Sequence, residues 1–237
     1  MSAGGPPGRE VGVGVVVPAY NAADWLGEAL ESVLSQTLAA VDIVVVDDGS
    51  TDATAAVATG FGPPVRCVSQ PNAGIGAARN RGIEAVGGDA VLMLDADDLM
   101  TPSSLAARAA VLAARPDIEL VFGWERRFER VLDGAPVAIG PLLPSHLPGS
   151  MLVRRAALDR VGPFPASVRV AEGLDWLLRA REQRVGEVTI EEQVLWRRVH
   201  EANNSVRHRA QMGEFAHALK ASLDRRRAAR PRSGEGV

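Results

Sequence analysis

The sequence has almost no cysteine, no long apolar run and no excess of positive charge. Cys67 is the only cysteine among 237 residues. No internal disulfide can form from it, and a reducing cytosol is the expected environment. The longest apolar runs, such as Val13–Val17, fall far short of the roughly 18 residues a membrane helix needs. The first ten residues are rich in Gly and Pro and have no apolar centre, unlike a signal peptide. The expectation is a cytoplasmic protein without an integral membrane segment. Lys and Arg number 26 against 29 Asp and Glu, a net charge of −3, which gives no support for a general nucleic-acid binder.

Hydrophobic residues make up 46% and charged residues 23%, so a buried core is expected. The length favours one large α/β domain over two small ones. It would run from residue 11 to 230 between loose ends at 1–10 and 231–237. Val11–Val17, Val41–Val46, Val65–Val68 and Ala90–Leu94 are short continuous apolar runs, which predict strands of a parallel sheet buried on both faces. Helical patterns separate them. Leu26, Ala29, Leu30, Val33 and Leu34 share one face, with Asn21 or Asp24 as N-cap. Further helices are predicted from near Asp52, near Gly76 and from Pro102. Such alternation predicts right-handed crossovers and a doubly wound sheet.

The second half reads differently. Ile118–Phe128 and Pro136–Ile139 flank Asp133-Gly134, a hairpin signal, and Pro141, Pro144 and Pro148 predict an extended loop. Leu174–Arg184 is amphipathic, Val194–Val199 suits a late strand and Arg207–Arg230 a closing helix. Its Arg225-Arg226-Arg227 run reads as a solvated face.

Ligands of parallel sheets bind where loops diverge at the carboxyl ends of strands. Here strand one leads into Pro18-Ala19-Tyr20-Asn21, strand two ends in Asp47-Asp48-Gly49-Ser50-Thr51-Asp52, and strand four in Asp95-Ala96-Asp97-Asp98. Six aspartates at two strand ends would repel one another without a cation or hydrogen-bonding ligand. Asp52 and Asp98 are expected as helix N-caps, which leaves the other four unexplained. Gly74-Ile75-Gly76 is not a dinucleotide fingerprint, because Arg79 takes the third glycine's place and the segment follows strand three.

Those loops, with Asn72-Ala73-Gly74 and Ala78-Arg79-Asn80-Arg81-Gly82, occur in the order seen in family 2 glycosyltransferases of the GT-A fold. The sequence resembles that family closely over residues 11–105 and more loosely beyond. The resemblance implies a mostly parallel doubly wound sheet with a smaller antiparallel acceptor-side portion. The nucleotide half would span about 11–105, the acceptor half about 106–206 and a C-terminal helix about 207–230. It implies that Asp48 accepts a hydrogen bond from the donor base, which suits an acceptor-only carboxylate, with Tyr20 stacked on the base. Backbone around Pro18, Ala19 and Asn21 would line the same pocket, with Gly74 and Arg79 near the nucleotide. Asp95-Ala96-Asp97 matches the family's DXD motif. Asp97 would ligate Mn²⁺ or Mg²⁺ bridging the donor diphosphate, and Asp95 would face the ribose or a metal-bound water. Asn80 and Gly82 are at least as well explained by structure.

Gly149-Ser150-Met151, Arg154-Arg155 and Val161-Gly162-Pro163-Phe164 resemble the family's acceptor-side segment, a strand followed by a glycine-closed helix. In Ala171-Glu172-Gly173-Leu174-Asp175-Trp176 the family's catalytic aspartate is replaced by Gly173. Glu172 or Asp175, at i and i+3, would then be the base. The alternative for Asp175 is to cap or pair on its helix. Trp196-Arg197-Arg198-Val199-His200 and Asn203-Asn204-Ser205 resemble the family's closing strand and flap. His200 would complete the metal shell or bond the diphosphate; His146, His208 and His217 have no such context.

The implied reaction is inverting, metal-dependent transfer of a sugar from a nucleotide-diphosphate donor, by family frequency a UDP-sugar. Its acceptor is a saccharide, peptide, lipid or metabolite, a soluble one being favoured. Two alternatives stand beside it. One is a nucleotide-sugar-binding protein with weak or no catalysis, suggested by Gly173. The other is a sugar nucleotidyltransferase of similar fold, disfavoured because Pro18-Ala19-Tyr20-Asn21 replaces the Gly-rich basic loop of those enzymes.

Overall fold

The computed structural model describes residues 10–200 and 213–228. The tail 231–237, most of the expected loose N-terminus, Asn203-Asn204-Ser205 and both ends of the expected closing helix lie outside them.

Four strands form the parallel part: β1 (Val13–Ala19), β2 (Asp42–Asp47), β3 (Val65–Ser69) and β4 (Ala90–Met93). They are joined by α1 (Ala23–Leu34), α2 (Thr54–Gly60) and α3 (Ile75–Ala85). After β4 come β5 (Leu99–Met100), α4 (Ser104–Ala114), β6 (Leu120–Leu132) and β7 (Ala135–Pro144). A 3-10 turn at Pro148–Ser150 leads into β8 (Leu152–Arg154) and α5 (Arg155–Val161). Then follow α6 (Glu172–Glu182), β9 (Glu187–Arg198) and α7 (Gly213–Ala228). None of these helices is long and apolar enough to cross a membrane.

The strand order is β3-β2-β1-β4-β8-β6-β9-β5, with β7 on β6. β1 pairs in parallel with both β2 and β4, so the chain leaves β1 in one direction and returns on its other side. That reversal is a topological switch point, where loops at the carboxyl ends diverge and open a crevice. Beyond β4 the sheet is mixed. β8 pairs antiparallel with β4 and β6, β7 antiparallel with β6 and β5 antiparallel with β9, while β6 and β9 run parallel. The acceptor-side portion is therefore neither smaller nor wholly antiparallel as expected. Every residue of β1 is buried, because helices cover both faces. Val13, Val15 and Val17 face α1 and α4, while Val16, Val44 and Val46 face α3, α5 and α6.

Several local expectations change. Leu34 is exposed, so α1 buries only Leu26, Ala29, Leu30 and Val33. Neither Asn21 nor Asp24 caps α1. The N–H groups of Ala22 and Ala23 instead donate to Thr54 Oγ1 (2.8 Å) and Asp52 Oδ2 (3.1 Å) from the start of α2. Asp52 also accepts the N–H of Thr54 (2.9 Å), but it stands one residue ahead of the N-cap of α2, Ala53, so it is not the cap expected of it. The fourth helix begins at Ser104, two residues beyond Pro102. Pro141 and Pro144 lie within β7, and an edge strand tolerates residues without an N–H. Asp133 and Gly134 both have positive φ (50° and 77°), the geometry of a two-residue hairpin turn.

Candidate active site

A cleft of about 1100 Å³ lies along the carboxyl ends of β1, β2 and β4. Pro18, Ala19, Tyr20 and Asn21 line it from the loop after β1, and Asp48 from the loop after β2. Gly74 and Arg79 reach it from α3, and Asp95, Ala96 and Asp97 from the loop after β4. Glu172 and His200 close it from the other half. Of the residues singled out from the sequence as candidate site residues, Asp175 alone does not line it.

The loops are braced against one another. The N–H of Asn21 donates to Ser50 Oγ (2.9 Å), and Asn21 Oδ1 accepts the N–H of Thr51 (2.8 Å). Tyr20 projects from this brace and is 44% exposed, leaving its ring face available. Asp48 is buried and supports the neighbouring loop. It accepts from Gln70 Nε2 (2.7 Å) and from the N–H groups of Ala73 (2.9 Å) and Gly74 (2.8 Å). Gly74 has φ +91°, a conformation that favours glycine. Gly82 is required by proximity, since a Cβ there would stand 2.1 Å from Val16 Cγ1. Asn80 bonds the backbone of Phe164 through both ends of its amide (2.8 Å each), a structural task.

Arg79 is buried and bridges the two halves of the cleft. Its guanidinium donates to Asp95 Oδ1 (2.8 Å) and to Glu172 Oε1. Glu172 Oε2 is buried and has no hydrogen-bond partner among the described residues. A carboxylate oxygen left so is costly unless a ligand supplies a donor. Asp175 takes another course. Its carboxylate meets Arg179 (2.9 Å) on its own helix and Arg225 (3.6 Å) on α7, and pairing explains it better than catalysis. Arg225 is therefore not the solvated residue expected of its run.

Asp97 Oδ2 and His200 Nε2 are 2.9 Å apart. Asp98 does not cap a helix. It is buried and accepts the N–H of Arg198 (2.8 Å). Burial pushes its carboxyl well above the usual range, and the charges of Asp97 and Asp95 add to this. Among the described residues no group of three or more His, Cys, Asp or Glu is arranged to hold a metal ion. The carboxylate of Asp97 and the imidazole of His200 are both groups able to ligate a divalent ion.

Sequence reasoning overlooked other parts of the wall. Trp25, Pro148, Arg169 and His146 all line the cleft. His146 has no polar context in the sequence, yet it packs edge-on against Phe122 (4.7 Å) at the cleft wall. Only its closeness in sequence to Pro148 and Gly149 could have pointed to it.

The chain is similar in sequence to glycosyltransferases and in fold to a solved structure. An uncharacterized glycosyltransferase of Rickettsia typhi is 28% identical over 222 residues, covering 86% of this chain and 69% of its own. The uncharacterized glycosyltransferase YibD of Escherichia coli is 42% identical over 92 residues, 38% of this chain and 27% of its own. The crystal structure of Staphylococcus aureus TarS 1–349 in complex with UDP-GlcNAc superposes with a TM-score of 0.69 at 20% identity. It matches 89% of this chain and 65% of that one, a likeness of fold, which is GT-A. The model of the family described as Glycosyl transferase family 2 matches residues 14–160. With the strand-end loops of the cleft falling inside that match, the chain belongs to glycosyl transferase family 2.

Proposed function

We propose that the cleft transfers a sugar, with inversion, from a UDP-sugar held by Mn²⁺ or Mg²⁺ to a soluble acceptor such as a saccharide, peptide or metabolite. The observation that carries this reading is the meeting of Asp97 with His200 (2.9 Å) in the cleft that Glu172 also lines, Glu172 Oε2 being buried without a hydrogen-bond partner among the described residues. The TarS structure, a complex with UDP-GlcNAc, supports the choice of donor.

Tyr20 offers a ring to the base, while Asp48 holds the loop beneath it and keeps one lone-pair site for the base N–H. Asp97 and His200 would hold the metal ion. When bound, that ion supplies Lewis-acid stabilisation to the leaving diphosphate. Glu172 is the general base: Oε1 is fixed by Arg79, and Oε2 takes the proton of the attacking hydroxyl. Asp175, paired with Arg179 and Arg225, has no part in it.

The test uses the purified protein with a set of nucleotide sugars and mass-spectrometric detection of released nucleoside diphosphate. Glu172→Gln should lower turnover roughly 10²–10⁴-fold, the usual share of general-base catalysis, with UDP affinity unchanged. Asp97→Asn should weaken UDP binding in Mn²⁺ and behave like the parent in EDTA. Full turnover by Glu172→Gln would remove that residue from the chemistry. Metal-dependent UDP binding equal to the parent's in Asp97→Asn would remove the metal assignment.

A further inference from the structure

The end of β9 is gripped by α1. The Trp25 and His200 rings are stacked with centroids 4.2 Å apart and planes at 26°. One turn along the same helix, Glu28 accepts a charge-assisted hydrogen bond from Arg198. Residues three apart on a helix are neighbours, and residues two apart on an extended chain share a side, so the two contacts form one two-point clamp. Both gripped residues act on Asp97. Arg198 Nε donates to the Asp97 carbonyl (2.9 Å), and His200 Nε2 meets the Asp97 carboxylate (2.9 Å). The guanidinium of Arg198 also lies over the Phe128 ring (4.4 Å), and its backbone N–H bonds Asp98.

We infer that Trp25 is a positioning residue for the metal site: its indole sets the plane of His200, and with Glu28 it holds both the backbone and the carboxylate of Asp97 in place. This rests on the proposed metal role of Asp97 and His200. A histidine side chain turns about two bonds, and the plane of its ring decides whether Nε2 meets Asp97. Offset stacking on a broad aromatic face removes that freedom without competing for a ring nitrogen. A hydrogen-bonding partner would instead change which tautomer presents itself. Phenylalanine can supply a similar face; leucine cannot.

The test measures Mn²⁺ uptake in the presence of UDP from the electron paramagnetic resonance signal of free Mn²⁺. Trp25→Leu should weaken Mn²⁺ binding about 10-fold or more, as loss of a residue that orients a metal ligand does. Trp25→Phe should restore most of it. Trp25→Leu should add nothing to His200→Ala, because the tryptophan acts through the histidine. Glu28→Ala, on a half-exposed side chain, should weaken Mn²⁺ in the same direction, and covers the case in which Trp25→Leu fails to fold. Parent-like affinity in Trp25→Leu or in a folded Glu28→Ala, or additive losses in the Trp25→Leu/His200→Ala double variant, would overturn the clamp. Parent-like affinity in both His200→Ala and Asp97→Asn would instead remove the metal site itself, and the clamp's role with it.

Discussion

Gly173 stands where an aspartate would be expected from the family resemblance, and the surroundings exclude any side chain there. A Cβ on Gly173 would lie 2.8 Å from Cγ and 3.1 Å from Cδ of Pro148. That ring belongs to the 3-10 turn at Pro148–Ser150, whose first carbonyl accepts the N–H of Met151 (3.2 Å), so it has little room to retreat. Alanine would gain about 1 kcal/mol of helix propensity over glycine. Overpacking costs about 1–3 kcal/mol, and the contact should win. Gly173→Ala is expected to lower the urea midpoint, and Gly173→Asp to lower it further without raising turnover. Pairing Gly173→Asp with Pro148→Ala should recover part of the loss. A Gly173→Ala protein more stable than its parent would mean that the turn yields freely. Glycine at 173 thus belongs with proline at 148, and the only carboxylate this segment presents to the cleft is Glu172.

At the level of elements, arginines fasten the acceptor-side helix to the sheet. Arg154 donates to the carbonyl of Ile118 (2.9 Å), and Arg155 to those of Ile83 (3.1 Å), Val86 (2.6 Å) and Gly88 (2.9 Å). The two residues that resembled an acceptor-side motif therefore satisfy carbonyls around the ends of α3 and α4. Arg160 of α5 meets Glu119, just ahead of β6, through two bonds (2.9 and 2.6 Å). Its guanidinium holds the Glu119 carboxyl below the usual carboxylate range. A depressed carboxylate binds fewer protons in the folded protein than in the unfolded chain. Its contribution is therefore present above an unfolded value of about 4.3 and lost as pH falls through the folded one. Arg160→Ala should lower the stability at pH 7, read from the urea midpoint, by at most about 1 kcal/mol for a partly exposed pair. It should also flatten the parent's loss of stability on acidification below about pH 5. Equal midpoints for parent and variant at pH 7, with parallel pH profiles, would show that the pair contributes nothing.

For the molecule as a whole, one continuous sheet joins the nucleotide and acceptor halves. β8 lies between β4 and β6, and β9 returns to pair with β5 just after the Asp95–Asp98 loop. The two halves are expected to unfold as one cooperative unit. A variant keeping Trp25 alone and another keeping Trp176 alone, with phenylalanine at the other tryptophans, should report the same urea midpoint. Separated transitions would divide the chain into two units.

The sequence by itself determined the alternation of strand and helix, because continuous apolar runs and 3.6-residue stripes are local patterns. It also determined the acidic and polar loops at the strand ends, since backbone turns and carboxylates are legible wherever they stand. Contacts between distant residues decided the rest. Asp98 met Arg198, 100 residues away, and became a buried support where its sequence context read as a cap. Arg79 met Glu172 across 93 residues, while Asp175, one turn from Glu172, turned to Arg179 and Arg225. Trp25 and His200 carry no mutual signal in the sequence and stack only because α1 and the end of β9 converge. Periodicity states which face of an element is apolar; which partner that element meets, and so which carboxylates remain available to a ligand, follows only from the order of strands in the sheet.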